Sequence, residues 1–126
     1  MYAWSELTKV QQAVLIGAAE SATLTDLLAL WEPGSSWTAR AAYVPRLAEA
    51  IVQLARGGLV EVYAGPAESG AETGLLLGDE IADVVSDPRN WGFGDHSGTM
   101  VELLCTDHGS DVLRTSGPDV YGFRQH

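Results

Sequence analysis

The sequence predicts an α+β fold in a single domain spanning residues 1–126: three helices first, then a small antiparallel pair of strands with a further helix inserted between them. Two patterns predict it. Up to residue 56 the apolar residues recur at helical spacing, whereas residues 59–63 alternate at period two and residues 100–106 form a second strand-like run. Gly57-Gly58 stands where the period changes.

Ser5 to Glu20 carries Leu7, Val10, Val14, Leu15 and Ala18 on one face, which makes it the first predicted helix. Thr23 is placed to cap the second, with Asp26 at its third position favoured by the helix N-terminus and Leu24, Leu27, Leu28 and Trp31 as its apolar side. That helix is expected to end before the turn Pro33-Gly34-Ser35-Ser36. The third pattern sets Val44, Leu47, Ala48, Ile51, Leu54 and Ala55 on one side and Arg46, Glu49, Gln53 and Arg56 on the other. An interior proline costs about 3 kcal/mol, so the regular helix should begin near Tyr43 and hold Pro45 in its first turn. Gly57-Gly58 supplies a left-handed C-cap.

Leu59 to Tyr63 reads as a half-buried strand running straight on from that helix. Gly65 to Gly74 has little to bury and reads as a mobile loop, closed by the Leu75-Leu76-Leu77 patch. Asp79 reads as the cap of a short helix through Ile81, Ala82, Val84 and Val85, stopped by Asp87-Pro88. Asn90 to Gly98 is irregular around Trp91 and Phe93, and Met100 to Thr106 is the second strand. Thr106-Asp107-His108-Gly109 reads as a turn toward a helical or extended stretch at Val112-Leu113. Residues 1–64 thus hold the helices and first strand, 65–99 the loop and inserted helix, 100–114 the second strand and turn, and 115–126 a frayed tail.

Seven Lys and Arg against seventeen Asp and Glu leave a net charge of −10, which argues against nonspecific attraction to phosphate or anionic lipid. No apolar run approaches the roughly 18–20 residues of a membrane span, so no membrane is expected as a partner. Tyr2, Trp4 and Glu6 do not form a basic-then-apolar leader, and the single Cys105 excludes an internal disulfide framework. A reducing cytoplasm is the expected location.

The run LAEAIVQLARGGLVEVY, within Ala39 to Val62, resembles the junction of MarR-like and PadR-like winged helix-turn-helix regulators. There the third helix passes through a basic residue and glycine into the first wing strand. LLCTDHGSDVL at 103–113 resembles the L-T-x-x-G segment that follows their second wing strand. The chain is also similar to small alanine-rich, tryptophan-containing actinobacterial proteins. The winged-helix resemblance implies a non-enzymatic DNA-binding or transcription-associated regulator, a homodimer with Tyr2 and Trp4 in a dimerising extension, and a third helix lying in the major groove. It assigns DNA contact to Arg40, Tyr43 and Arg46 near that helix's N-terminus and to Gln53 and Arg56 farther along. Arg pairs bidentately with guanine and Gln with adenine, each worth about 1–3 kcal/mol of discrimination. The chain departs from an ordinary short wing in residues 64–99, which separate the two strands.

Charge favours a second reading. Residues 65–126 hold three arginines against eleven acidic residues, a local charge of −8, which suits an acidic interaction module such as an antitoxin, immunity protein or inhibitor. Glu80, Asp83 and Asp87 would face its basic protein partner. Tyr2, Trp4 and Trp91 either pack in the core or anchor a partner as half-exposed aromatics. No catalytic residue, metal or cofactor is expected. Cys105 and His108 make only half a zinc site, GDHSG at 94–98 puts His96 where a nucleophile elbow needs serine, and no phosphate-binding loop occurs. Asp79, Glu80 and Asp83 lie where a helix dipole favours carboxylates in any case.

Overall fold

The computed structural model describes residues 3–31, 41–66, 74–91 and 99–115. Tyr2, Trp37, Arg40, residues 33–36, 92–98 and 116–126, and residues 67–73 of the loop expected over Gly65–Gly74 lie outside the described residues, while Gly65, Pro66 and Gly74 of that expected loop belong to strands. Within them the chain is α+β, with five α-helices and one three-stranded antiparallel sheet in an order compatible with a winged-helix-like arrangement.

The first helix is shorter than its apolar pattern suggests. Trp4–Glu6 forms a separate 3-10 turn, and α1 runs from Lys9 to Ala19. Thr8 is its N-cap: the Thr8 hydroxyl accepts from Gln11 N at 3.2 Å while the Gln11 side chain accepts from Thr8 N at 2.9 Å. Nor does α1 have a single apolar face, since every residue from Gln12 to Ala18 is buried. The buried polar member, Gln12, is satisfied by donating to the Trp4 carbonyl at 3.1 Å. The helix ends in a Schellman turn, with Ala22 N bonding Gly17 O at 2.9 Å and Ser21 N bonding Ala18 O at 3.1 Å. Ser21 takes the left-handed position there, at φ 57°.

The next two residues tie the helices to the sheet. Ala22 O accepts from Leu103 N at 2.9 Å, and Thr23 forms an antiparallel bridge with Glu102. Thr23 also caps α2 (Leu24–Trp31), its hydroxyl accepting from Asp26 N, and the Asp26 carboxylate in turn accepts from Thr23 N at 3.2 Å. Helix α3 spans Val44–Arg56 with Pro45 in its first turn, where no N–H is required. Its end is a second Schellman turn: Leu59 N bonds Leu54 O at 2.9 Å, Gly58 N bonds Ala55 O at 3.1 Å, and Gly58 has φ 78°.

Strand β1 (Val60–Pro66) pairs along its whole length with β3 (Thr99–Cys105), in a register fixed by Val60 opposite Cys105 and Tyr63 opposite Glu102. A third strand, β2 (Gly74–Leu75), lies against the other edge of β1, so Leu75 belongs to the sheet rather than closing a loop. Between β2 and β3, α4 (Asp79–Val85) packs beside α3. Asp79 is not its cap: Gly78, at φ 57°, holds that position and no side chain caps the first turn. At its other end the Asn90 side chain and the Trp91 indole donate 2.7 Å hydrogen bonds to the Val84 and Val85 carbonyls. A 3-10 turn over Pro88–Trp91 delivers both.

After β3 the sequence Thr106-Asp107-His108-Gly109 is the start of a helix and not a turn. Thr106 is the N-cap of α5 (Asp107–Arg114) and accepts from Gly109 N at 3.0 Å. One hydrophobic cluster runs from Trp4 to Val112 and includes Leu15, Leu27, Leu47, Ile51, Val62, Trp91 and Leu103. The inward face of the sheet, Val60, Val62, Val101 and Leu103, closes it against α1. Among the described residues no helix is long and apolar enough to cross a membrane.

Candidate nucleic-acid interface

Helix α3 turns Val44, Leu47, Ala48, Ala50, Ile51 and Leu54 inward. At 100° per residue, Pro45, Arg46, Glu49, Val52, Gln53 and Arg56 then share an outward arc of roughly 120°. All of them are exposed except the half-buried Val52. Ten residues at 1.5 Å rise place Arg46 and Arg56 about 15 Å apart along the axis, with Glu49 and Gln53 between them.

Gln53 is held in place on that arc. Its side-chain oxygen accepts from the Gln11 side chain at 2.9 Å, and its amide nitrogen lies 3.4 Å from a Glu49 carboxylate oxygen. The N-terminal turn of α1 therefore flanks α3, and a groove of about 350 Å³ runs between them, lined by Thr8, Val10, Arg46, Glu49, Ala50 and Gln53. On the opposite flank, Val44, Ala48, Val52, Ser86 and Pro88 help to line a groove of about 300 Å³ beside α4. The outward arc of α3 is a ridge between two furrows.

The structure brings together Arg46, Gln53 and Arg56. Tyr43 is half-buried at the N-cap of α3, below the ridge, and Arg40 is outside the described residues. Gln11 of α1 reaches the ridge through its bond to Gln53, a contact that the helix periodicity alone did not single out. The signal for it was the Thr8/Gln11 capping pair, which fixes where α1 starts. Arg46 and Arg56 have no ion-pair partner among the described residues.

Of the two readings open for Trp4 and Trp91, core packing and a half-exposed anchor, both residues take the first. Trp4 is 2% exposed and Trp91 0%. The Trp4 backbone is held in its 3-10 turn with Gln12 donating to its carbonyl, and the Trp91 indole is held by its bond to the end of α4. Of the carboxylates, Glu80 and Asp83 are exposed on α4. Asp87, by contrast, is engaged by Arg89, whose guanidinium approaches to 2.8 Å and whose hydrogen bonds hold the Asp87 carboxyl below the ordinary carboxylate range.

Cys105 is half-buried, and burial pushes its thiol pKa up against the opposing effect of a hydrogen bond from Ser110. A thiol held neutral is the opposite of an activated nucleophile. His108 is exposed in the first turn of α5, and among the described residues no three His, Cys, Asp or Glu side chains gather. No protein-family model, curated protein or solved structure matches the chain.

Proposed function

We propose that this chain is a non-enzymatic, winged-helix-like DNA-binding module of the transcription-regulator kind, cytoplasmic and homodimeric, that sets the α3 ridge in the major groove. The supporting observation is the joint placement of Arg46, Gln53 and Arg56 on one exposed arc of a helix that leads directly into β1. The bridge from Thr23 to Glu102 agrees with this reading, because it ties the segment between the first two helices to the sheet beside β3.

Magnitudes constrain the mode of binding. Among the described residues the ridge of a monomer offers Arg46 and Arg56 against a net charge of −10, so about two phosphates are neutralised there and the logarithmic salt slope is about −2 per protomer. A two-fold pair with its ridges about 34 Å apart would double that slope and read two half-sites. The test is selection of genomic DNA fragments at 50 mM salt by the intact chain, followed by titration with the Arg46→Ala/Arg56→Ala variant. Enriched fragments that the variant releases support the reading; recovery of fragments no different from bulk DNA refutes it.

A further inference from the structure

The helices of the described chain pack on one face of the sheet, and among the described residues none covers the other face, where Glu61, Tyr63, Glu102 and Leu104 are half-buried and Leu75 and Met100 exposed. With Tyr63 opposite both Leu75 and Glu102, and Glu61 opposite Leu104, the outward residues are Glu61 and Tyr63 on β1, Leu75 on β2, and Met100, Glu102 and Leu104 on β3. Leu75 is 42% exposed and Met100 39%, and Leu77, just beyond β2, is 65% exposed. These are the exposed large hydrophobic residues of the described chain, and all three come from one sheet and its border. An apolar patch gathered on one face marks an interaction site more often than scattered apolar exposure does.

Charge decides what fits. Glu61 and Glu102 are diagonal cross-strand neighbours, about 7–8 Å apart, set among the apolar side chains. Neither has an ion-pair partner among the described residues. A second copy seated face to face would bring two further carboxylates onto the pair, a repulsive arrangement. A partner with cations beside an apolar stripe would satisfy both features at once. Along β1 and β3 the face is seven residues tall, about 20 Å, and it widens to two strand spacings, about 10 Å, where Leu75 pairs with Tyr63, which gives seating for one α-helix of roughly 14 residues.

We propose that the outer face of the sheet, Tyr63, Leu75, Met100 and Leu104 with Glu61 and Glu102, docks a basic amphipathic helix of a protein partner. The apolar stripe of that helix covers Tyr63, Leu75, Met100 and Leu104, and its Lys or Arg residues bracket the two carboxylates. The site is separate from the α3 ridge and stands or falls independently of DNA binding.

The probe is an 18-residue amphipathic helical peptide of Leu and Lys, with a Leu/Glu peptide of the same pattern as control, titrated onto the full chain by fluorescence anisotropy. The Leu/Lys peptide should bind, and the Leu/Glu peptide should bind at least tenfold more weakly. Glu61→Gln/Glu102→Gln and Leu75→Ser/Met100→Ser should each weaken Leu/Lys binding tenfold or more. Glu61→Lys/Glu102→Lys should reverse the preference between the peptides. Attraction to the general negative charge is separated by Asp79→Asn/Glu80→Gln/Asp83→Asn, which removes three exposed carboxylates from α4 and should change affinity less than threefold. Circular dichroism of each variant keeps misfolding apart from lost binding, and the Gln pair keeps the test sound if the Lys pair does not fold. No binding by the wild-type chain, an equal loss in the α4 variant, or a dimer in sedimentation that Leu75→Ser/Met100→Ser dissolves would each overturn the proposal.

Discussion

Gly109→Ala tests how α5 is docked on the sheet. Gly109 is the third residue of α5 and is buried, and a Cβ built on it would lie 2.1 Å from the Leu59 carbonyl oxygen and 3.0 Å from Cys105 Sγ. Ordinary C···O approach is about 3.3 Å, so the helix must retreat by roughly 1 Å or the strand must yield. The Leu59 carbonyl is itself the anchor of the helix: Thr106 N donates to it at 3.1 Å, and the Thr106 hydroxyl lies 3.1 Å from it and 2.6 Å from the Gly58 carbonyl. A retreat of 1 Å breaks these bonds, at about 1 kcal/mol each, and adds an overpacking cost of about 1–3 kcal/mol. Against this stands the better helix propensity of alanine, about 1 kcal/mol. The net expectation is destabilisation by about 2–4 kcal/mol, read as a lowered urea midpoint with unchanged slope. His108→Ala changes an exposed neighbour in the same turn and should stay within about 0.5 kcal/mol of the parent. Equal stability of Gly109→Ala and the parent chain would refute the close approach.

Three further outcomes follow from single sites. Ser21→Gly relieves a left-handed, non-glycine residue in the α1 Schellman turn and should stabilise the chain by about 0.5–1 kcal/mol, visible as a rise of a few degrees in Tm. Glu49→Gln keeps an acceptor for Gln53 but removes the negative charge between Arg46 and Arg56. At about 6 Å in high dielectric that charge costs a bound phosphate about 0.7 kcal/mol, so DNA titration should give roughly threefold tighter binding, and weaker binding would count against a major-groove role for the ridge. The raised thiol pKa of Cys105 means that the unfolded chain gives up its proton first as pH rises. Its contribution to stability is therefore complete below the unfolded thiol value of about 8.5 and is lost as pH climbs through the folded value. Urea midpoints at pH 7.5 and 9.5 should show that loss in the parent chain and a smaller one in Cys105→Ser; equal losses would dissociate it from the thiol.

The elements that were legible in the sequence are those decided by local chemistry. Thr23 with Asp26, Pro45 in a first turn and Gly58 after Arg56 each act over three or four residues, and the structure has α2, α3 and the α3–β1 junction where those residues put them. Errors arose where a distant partner decides. Periodicity gave α1 one apolar face, whereas α2, α3, β3 and α5 surround it and bury the whole run from Gln12 to Ala18. Trp4 and Trp91 could be read either as core or as anchors because nothing in their neighbours by sequence announces Gln12 donating to the Trp4 carbonyl or the end of α4 receiving an indole. Gly78 took the cap from Asp79 because the chain arrives from β2 at φ 57°, a backbone path that composition does not record.

Thr106-Asp107-His108-Gly109 shows how one string of residues supports two local readings and why packing selects between them. Threonine and glycine at this spacing are turn residues by propensity. They are also an N-cap and a residue without a Cβ, which is what a helix needs if its first turn is to sit on a strand's carbonyl. Only the approach of Gly109 to the Leu59 carbonyl separates the two, and that depends on β1 lying beside β3 in one register. The same register turns Glu61, Tyr63, Glu102 and Leu104 outward. A slip of one residue would bury these carboxylates and expose Val62 and Leu103, so docking of α5 at one end of the sheet and the composition of its open face have a common cause.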